Sequence, residues 1–247
     1  MTQRLFLVTP AEWGQAAAGD VVVVTGAEAR HAVQVVRLAV GEQVLVSDGA
    51  GRRGTGEIVS VEPTRLSVRL AHVDTVPEPS PRFVLVQALA KGDRDEQAVE
   101  AATELGVDVV VPWQASRSIV QWRADKADKG RQRWVAVVAA AAKQARRARI
   151  PVVEPLERMP GVRARVSAAA LALVLHEDAT TPLVGLDLPV SGDVVLVVGP
   201  EGGITPEELH ALGEAGARVV RLGAEVLRSS SAGPAALAVL NAAGRWR

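Results

Sequence analysis

The chain contains no cysteine and no tyrosine, and only two of its 247 residues are phenylalanine. Without cysteine it has neither disulfides nor thiolate metal ligands, which is typical of proteins in a reducing cytoplasm. No apolar run approaches the length that spans a bilayer, and the N-terminus lacks the pattern of a secretory signal. We therefore expect a cytoplasmic protein without a membrane segment, whose cores are filled by valine, alanine and leucine.

Several signatures of catalysis and metal binding are also missing. No Gly-x-Ser-x-Gly elbow and no Walker sequence occurs, and the histidines are scattered without ligand spacing. The segment Gly49–Gly54 matches Gly-x-Gly-x-x-Gly literally, but the dinucleotide motif requires a helix after it, and Thr55–Val61 alternates as a strand does. We interpret the match as a hairpin loop, exclude NAD binding and expect no metal site.

Charge is balanced over the whole chain but concentrated locally. Lysine and arginine number 28, as do aspartate and glutamate, yet the stretch from Trp113 to Arg149 holds ten basic against two acidic residues. Such a stretch indicates a local contact with a polyanion such as nucleic acid, or a solvated helix face. Trp113, Trp122 and Trp134 lie in it, and they either stack on bases or belong to the core.

The pattern of elements changes once along the chain. Residues 1–72 are mostly β, and short strands of this spacing favour a small barrel. Residues 73–81, with three prolines, predict a linker. In residues 82–247 apolar strands alternate with helices, which predicts a parallel α/β sheet with helices on both faces. The elements predicted in the first part are the strands Val21–Val24, Val44–Ser47, Gly56–Val61 and Arg65–Leu70 and the helix Ala27–Leu38.

The most informative stretch of the second part is a strand followed by a glycine turn and a helix. Val194–Val198 is uniformly apolar, as in a strand covered on both faces. Gly199–Gly203 follows, and Thr205 then begins a helix as N-cap, with Glu208 completing a Thr-x-x-Glu capping box. Such a loop either presents backbone N–H groups to a ligand or is a tight turn without one. Ligands of parallel sheets bind beyond the carboxyl ends of the strands.

An ordered set of motifs along essentially the whole chain resembles one family. The motifs are Arg4–Phe6, His31–Arg37, Asp48–Gly49, Ala90–Arg94, Thr103–Val107, Arg117–Ser118, Gln144–Arg147, Gly199–Gly203, Leu222–Gly223 and Val226–Arg228. Their order and spacing resemble those of the RsmE family, the 16S ribosomal RNA uridine-N3 methyltransferases of the SPOUT superfamily.

The resemblance implies a fold, a reaction and partners. The fold would be a small N-terminal PUA-like β-barrel that binds RNA, followed by a parallel sheet with a C-terminal trefoil knot. The protein would be a homodimer that transfers a methyl group from S-adenosylmethionine to N3 of a uridine in 16S rRNA, free or in the assembled small subunit. Two alternatives are a SPOUT ribose 2′-O-methyltransferase of rRNA or tRNA and a non-catalytic RNA-binding factor of ribosome assembly.

The resemblance also assigns residues. The expected cofactor contacts come from three strand ends: Leu175, His176, Glu177, Gly199, Pro200, Glu201, Gly202, Gly203, Leu222, Gly223, Leu227, Arg228 and Ser229. Arg228 is the candidate for stabilising charge that develops on the uracil. From the residues alone, His176 is either a structural side chain or a base. For the reaction that the resemblance implies, His176 and Glu201 are the candidate bases, and water is the alternative. The expected RNA contacts are Arg4, His31, Arg37, Arg52, Arg94, Gln144, Arg147 and Arg149.

Two positions depart from the family pattern. Ser230 stands where the family often has glutamate, so the chain lacks a negative charge there. Ala101 stands where a lysine commonly precedes the Thr-Glu-Leu-Gly motif.

Overall fold

The computed structural model describes residues 3–123 and 125–246, which form two compact units. The first unit joins the described residues up to Glu78 with the segment Ala142–Ile150, and the second comprises Pro79–Ala141 and the chain from Pro151 onward. None of the helices within these ranges combines the length and the apolar character that a bilayer crossing requires.

These units differ from the predicted domains in two places. The last strand of the first unit continues to Thr75, so residues 73–75 are not part of a linker. That strand is paired with its neighbour up to Thr75, but its last residues are mostly polar and show no alternation that would predict a strand. The segment 142–150 lies inside the predicted second domain but belongs to the first unit.

The first unit is built on one five-stranded sheet with the order β1-β3-β4-β5-β2. The pairing of β1 with β3 is parallel, and the other pairings are antiparallel. Its elements are β1 (Leu5–Leu7), α1 (Pro10–Trp13), β2 (Val21–Thr25), α2 (Gly26–Arg30) with a π-helical turn (His31–Val35), β3 (Gln43–Ser47), β4 (Arg52–Glu62) and β5 (Arg65–Thr75). The four predicted strands are confirmed, whereas β1 and α1 were not predicted because three or four residues carry no periodicity.

The segment 142–150 completes this unit by pairing with the loop between β3 and β4. The amide of Ile150 donates to the carbonyl of Gly49 at 2.9 Å, and the hydroxyl of Ser47 donates to the carbonyl of Ala148 at 3.1 Å. A Cβ at Gly51 would lie 2.7 Å from a guanidinium nitrogen of Arg149. Glycine is therefore required where the returning segment crosses the loop.

The second unit contains a six-stranded sheet with the order β11-β9-β10-β6-β7-β8, in which every pairing is parallel. The predicted parallel α/β sheet is therefore confirmed. Its elements are β6 (Arg82–Ala88), α3 (Arg94–Glu104), β7 (Val109–Trp113), α4 (Asp125–Gln144, whose last three residues belong to the first unit), β8 (Val152–Val153), α5 (Met159–Ala168), β9 (Leu171–Leu175), β10 (Asp193–Val198), α6 (Pro206–Glu214), β11 (Arg218–Val220) and α7 (Ser229–Ala243).

Helices cover both faces of this sheet, as predicted. On β6, Val84 and Val86 belong to a core that also contains residues of α5 and α6. Leu85 points to the other face, where Gly233 of α7 lies so close that an added Cβ would be 3.0 Å from it. Because both faces are buried, the strands are uniformly apolar instead of alternating.

The connection between β9 and β10 contacts the chain on both sides of α7. The amide of Leu183 donates to the carbonyl of Arg221, before α7, at 2.8 Å. Leu188 lies where an added Cβ at Gly244, after α7, would be 3.1 Å from it. A helix threaded beneath this connection would make these contacts, and the trefoil knot itself stays a prediction.

Candidate functional site

A cavity of about 690 Å³ lies at the carboxyl ends of β9 and β10 and in front of α7. Its size falls in the range of about 300 to 1,000 Å³ that is typical of small-molecule sites. Three loops form most of its wall, namely those after β9, after β10 and before α7. This is the position at which parallel sheets bind ligands.

A narrower cavity of about 80 Å³ continues from the first one along the loop after β11. Eleven of the thirteen residues expected to contact a cofactor line the larger cavity, and Leu222 and Gly223 line the smaller one. Leu175, His176, Glu177 and Leu227 line both. The structure therefore brings together, in one continuous depression, residues that are up to 54 positions apart in the sequence.

The glycine loop after β10 is tightly packed. A Cβ at Gly199 would lie 2.6 Å from the side chain of Ile204, and Gly203 has a positive φ of 75°. The predicted capping box at the start of α6 is confirmed, because the hydroxyl of Thr205 accepts from the amide of Glu208 at 3.2 Å and a Glu208 oxygen accepts from the amide of Thr205 at 3.0 Å. The glycines thus serve close backbone packing at this loop.

A fourth wall, the segment after β7, was not part of the predicted cofactor site. Nη1 of Arg117 donates to the carbonyl of Gly202 at 3.0 Å, and Arg117 lines the larger cavity. Oε1 of Glu208 accepts from the amide of Ser116 at 2.8 Å, and Glu208 is only 6% exposed. The sequence identifies Arg117–Ser118 only as a family motif, because nothing in a polar loop indicates which distant residues it packs against.

The loop after β6 reaches the same cavity through an ion pair. Nη1 of Arg94 lies 3.0 Å from Oε1 of Glu201, and the amide of Lys91 donates to the same oxygen at 3.3 Å. Arg94 was expected to contact RNA, and the structure places it in the cavity wall beside a residue expected to contact the cofactor.

The buried carboxylate of Asp95 is hydrogen-bonded to the loop after β6 and to the start of α3. Asp95 is 6% exposed and accepts hydrogen bonds from the amides of Ala90 at 3.2 Å and Glu96 at 2.9 Å. Burial raises the pKa of the Asp95 carboxyl above its ordinary value, and the two backbone donors only partly oppose this effect. The loop that carries Arg94 therefore rests on a carboxyl group that is costly to ionise.

Both candidate bases are engaged in hydrogen bonds. Nδ1 of His176 accepts from the amide of Asp178 at 3.2 Å, which assigns the proton of the neutral imidazole to Nε2. His176 can then donate at Nε2 instead of accepting a proton there. Glu201 already accepts from Arg94 and Lys91. The geometry thus favours neither residue as a general base.

The start of α7 places one serine and one arginine at the cavity. The hydroxyl oxygen of Ser229 is buried and has no hydrogen-bond partner within residues 3–123 and 125–246. Arg228 is the N-cap residue, and its guanidinium forms no ion pair in the same part of the chain. A buried hydroxyl without a partner is destabilising unless a ligand or water satisfies it, so the site is suited to a polar ligand atom.

The residues expected to contact RNA in the first unit differ in how exposed their side chains are and in whether they are bonded within the unit. Arg4, His31 and Arg37 are exposed. By contrast, Nε of Arg52 is paired with Asp48 at 2.7 Å, and Nε of Arg149 donates to the carbonyls of Val76 and Pro77 at 3.0 and 3.1 Å. The last two guanidiniums are therefore partly committed to holding the loop and the returning segment together. Gln144 is exposed, and Arg147 is half-buried.

The tryptophans of the basic stretch do not form a stacking surface. Trp113 and Trp134 are 0% and 1% exposed, so both belong to the core and the stacking alternative is wrong for them. Trp122 packs edge-on against Trp134 with ring centroids 5.5 Å apart. In the described part of the chain no group of acidic or histidine side chains is arranged to hold a metal ion.

Two protein families match consecutive parts of the chain. The RNA methyltransferase PUA domain matches residues 24–71, and the RNA methyltransferase domain matches residues 77–241. With a ligand-sized cavity at the carboxyl ends of a parallel sheet, these matches define the class as an RNA methyltransferase that carries a PUA domain.

Relatives that align over nearly the whole length narrow this class. The ribosomal RNA small subunit methyltransferase E of Mycobacterium bovis is 45% identical over 92% of this chain and 89% of its own, and that of Bacillus subtilis is 28% identical over 88% of each. The solved structure of the Neisseria gonorrhoeae enzyme, bound to S-adenosylmethionine, superposes with a TM-score of 0.84 at 28% identity and covers 98% of both chains. The chain belongs to the ribosomal RNA small subunit methyltransferase E family.

Proposed function

We propose that the protein transfers a methyl group from S-adenosylmethionine to N3 of a uridine in small-subunit 16S rRNA and that it acts in the cytoplasm. The observation that carries the proposal is the convergence of all thirteen expected cofactor residues on one depression at the sheet edge. The family membership and the cofactor-bound relative support the same reaction.

The residues present fit this cofactor. The narrow end of the depression is lined by Leu222, Gly223 and Leu227, which supply apolar walls and backbone groups for a neutral flat ring such as adenine. The buried Ser229 hydroxyl supplies an unsatisfied hydrogen-bonding group beside it. No phosphate has to be bound, which agrees with the absence of a Walker lysine.

The chain's own residues would act through position and charge. When bound, the cofactor supplies a methyl group that is already activated by its sulfonium. Uridine N3 loses its proton to water and forms the new N–CH₃ bond as the S–CH₃ bond breaks. The uracil carries negative charge before transfer, and Arg228 would stabilise that charge; its position in the cavity wall and the absence of an ion pair to it in the described part of the chain support this role. Alignment of the two reactants supplies most of the acceleration.

RNA binding is assigned to the first unit and the basic segment. Arg4, His31 and Arg37 are exposed there, so their side chains are available to phosphates. Replacing Arg4 and Arg37 together by Ala should weaken RNA binding and make its salt dependence less steep by about two units of slope or fewer. The matched control is Arg163→Ala on α5, an exposed arginine of the second unit. An unchanged slope would count against this assignment.

The homodimer also belongs to the proposal. Ile119, Val226 and Leu227 are 71%, 76% and 41% exposed in the single chain, and Val226 and Leu227 line the cavity. Apolar groups of this kind beside a site are typical of surfaces covered by a partner. Sedimentation equilibrium tests it: a monomer at micromolar concentration would contradict the dimer.

The function is tested by methyl transfer to small ribosomal subunits from a strain that lacks the corresponding activity. Labelled S-adenosylmethionine should give one methyl group per subunit, and nucleoside mass spectrometry should identify N3-methyluridine. A 2′-O-methylated nucleoside would assign the protein to the ribose methyltransferases instead. RNA binding without any transfer would favour a non-catalytic assembly factor.

A further inference from the structure

The two ends of the cavity differ in chemistry. Residues 220–225 line only the narrow end, where backbone groups and apolar side chains lie beside the charged side chains of Arg221 and Glu225. Arg94, Arg117 and the glycine loop after β10 line only the wide end. A ligand that fills the whole depression therefore meets backbone groups, apolar side chains and one charge of each sign at the narrow end, and the guanidiniums of Arg94, Arg117 and Arg228 at the wide end.

Arg117 is held in place at the wide end by its own segment. The amide of the preceding residue, Ser116, is bound to the buried carboxylate of Glu208 at 2.8 Å. The side chain of Arg117 crosses Gly202, where an added Cβ would lie 3.1 Å from the Cβ of Arg117. Nη1 donates to the Gly202 carbonyl at 3.0 Å. The guanidinium is thus oriented before any ligand arrives, which lowers the entropic cost of binding.

The charge of Arg117 is not neutralised by its partner. A carbonyl accepts a hydrogen bond but carries no net charge, whereas Arg94 is paired with the carboxylate of Glu201 at 3.0 Å. Arg117 forms no ion pair in the described part of the chain. The charge of Arg117 also acts on the exposed carboxyl of Glu207. The pKa of that carboxyl is lowered mainly by hydrogen bonds from its own backbone and from Thr205, and to a smaller extent by the charge of Arg117.

We propose that Arg117 binds the α-carboxylate of the methionyl group of S-adenosylmethionine. The inference rests on the proposed function, since it assumes that the adenine occupies the narrow end lined by Leu222 and Gly223. The amino-acid end of the cofactor then extends to the glycine loop, where Arg117 is bonded to the Gly202 carbonyl and, unlike Arg94, forms no ion pair in the described part of the chain. With Nη1 bound to Gly202, the remaining N–H groups of the fork match the two oxygens of a carboxylate. This segment lies outside the three loops to which the cofactor contacts were assigned.

The test compares two ligands by isothermal titration calorimetry. S-adenosylhomocysteine has the carboxylate, and its decarboxylated analogue S-adenosyl-3-thiopropylamine lacks it but keeps the adenosine, the sulfur and the amine. Arg117→Gln should weaken S-adenosylhomocysteine binding about tenfold. It should leave the affinity of the analogue unchanged, and Arg117→Lys should cause a smaller loss. The control is Arg123→Gln on the same segment, whose exposed side chain donates to Gln121 and is not among the residues that line the cavity.

Each outcome decides the question. Equal losses for both ligands would show that the substitution distorts the site, and no loss for either would show that the carboxylate lies elsewhere; both results overturn the proposal. Weaker RNA binding with unchanged ligand affinities would assign Arg117 to the RNA and also overturn it. If the wild-type protein binds neither ligand, the cofactor assignment itself fails. Retained binding of the analogue shows that the variant is folded, so a folding defect cannot be mistaken for the expected result.

Discussion

Nη1 of Arg94 and Oε1 of Glu201 are 3.0 Å apart, which joins the loop after β6 to the glycine loop after β10. The two side chains are 44% and 25% exposed, so solvent screens the pair and its contribution to stability is at most about 1 kcal/mol. Its importance is therefore local: the carboxylate neutralises a guanidinium at the wall of a cavity that is proposed to hold a cationic sulfonium.

Glu201→Gln should lower the affinity for S-adenosylmethionine relative to that for S-adenosylhomocysteine. The substitution leaves Arg94 uncompensated beside the positive sulfonium, whereas the sulfur of the demethylated product is neutral. We expect the ratio of the affinity for S-adenosylmethionine to that for S-adenosylhomocysteine to fall roughly twofold to tenfold, because solvent partly screens the repulsion between two charges in the same cavity. Calorimetry with both ligands measures the ratio.

The matched control for this prediction is the double variant Arg94→Gln/Glu201→Gln. It removes one charge of each sign, so the ratio should return towards the wild-type value. A ratio that does not move in the single variant would mean that the sulfonium lies too far from the pair to sense it.

Glu208→Ala should destabilise the second unit more than Thr205→Ala does. The carboxylate accepts from the amides of Ser116 and Thr205, so its removal leaves two amides without acceptors at a cost of about 2 to 3 kcal/mol. Loss of the Thr205 hydroxyl removes only the helix cap, which costs about 1 kcal/mol. The thermal unfolding midpoints of the two variants measure the difference.

Hydrogen exchange separates the two roles of Glu208. The Ser116 amide should exchange faster in Glu208→Ala but not in Thr205→Ala, because only the first substitution releases the segment that carries Arg117. Equal exchange rates in both variants would contradict the tether between that segment and α6.

The sequence predicts the centre of the site well, for local reasons. The run Val194–Val198 is apolar without alternation, which favours a strand buried on both faces, and the Thr205–Glu208 spacing marks the start of a helix. Both signals are contained within the fifteen residues from Val194 to Glu208, and both agree with the structure. The convergence of the three loops, by contrast, was implied by the family resemblance and not by any pattern.

Contacts distant in sequence could not be predicted from periodicity. Nothing in the residues around Arg117 indicates that they pack on Gly202, some 85 positions later. Likewise the basic stretch from Trp113 to Arg149 is interpreted from its charges as a polyanion contact or a solvated helix face, whereas the structure pairs its end with the loop at Gly49 in the first unit. An arginine bound to backbone carbonyls and an arginine that faces solvent look the same in sequence, because the carbonyls belong to residues that are distant in the chain.

Gly51→Ala should detach the segment 142–150 from the first unit, whereas Gly19→Ala should not. Both glycines have positive φ, at 119° and 97°, so each substitution stores backbone strain of about 1 to 3 kcal/mol. Only at Gly51 would the Cβ also lie 2.7 Å from a backbone oxygen, that of Val76, and from Arg149; nothing lies within 4 Å at Gly19. Limited trypsin digestion reads out the difference.

In the Gly51 variant, cleavage after Arg147 and Arg149 should become faster than in the Gly19 variant at equal thermal stability. Equal digestion patterns would show that the segment holds to the unit without the close crossing at Gly51.

The stability of the Asp95→Asn variant relative to that of the wild type should increase as the pH rises. Burial raises the pKa of Asp95 in the folded chain, so the folded state binds the proton more tightly than the unfolded state does. The stability that this group contributes is complete below its unfolded pKa and is lost as the pH rises through the folded pKa. Asparagine has no such loss, although its single oxygen can accept from only one of the two amides that Asp95 serves. The difference in unfolding midpoint between variant and wild type should therefore shift towards the variant between acidic and neutral pH and be flat beyond that window. A shift towards the wild type would mean that the bonds from Ala90 and Glu96 outweigh burial and that the carboxyl ionises readily.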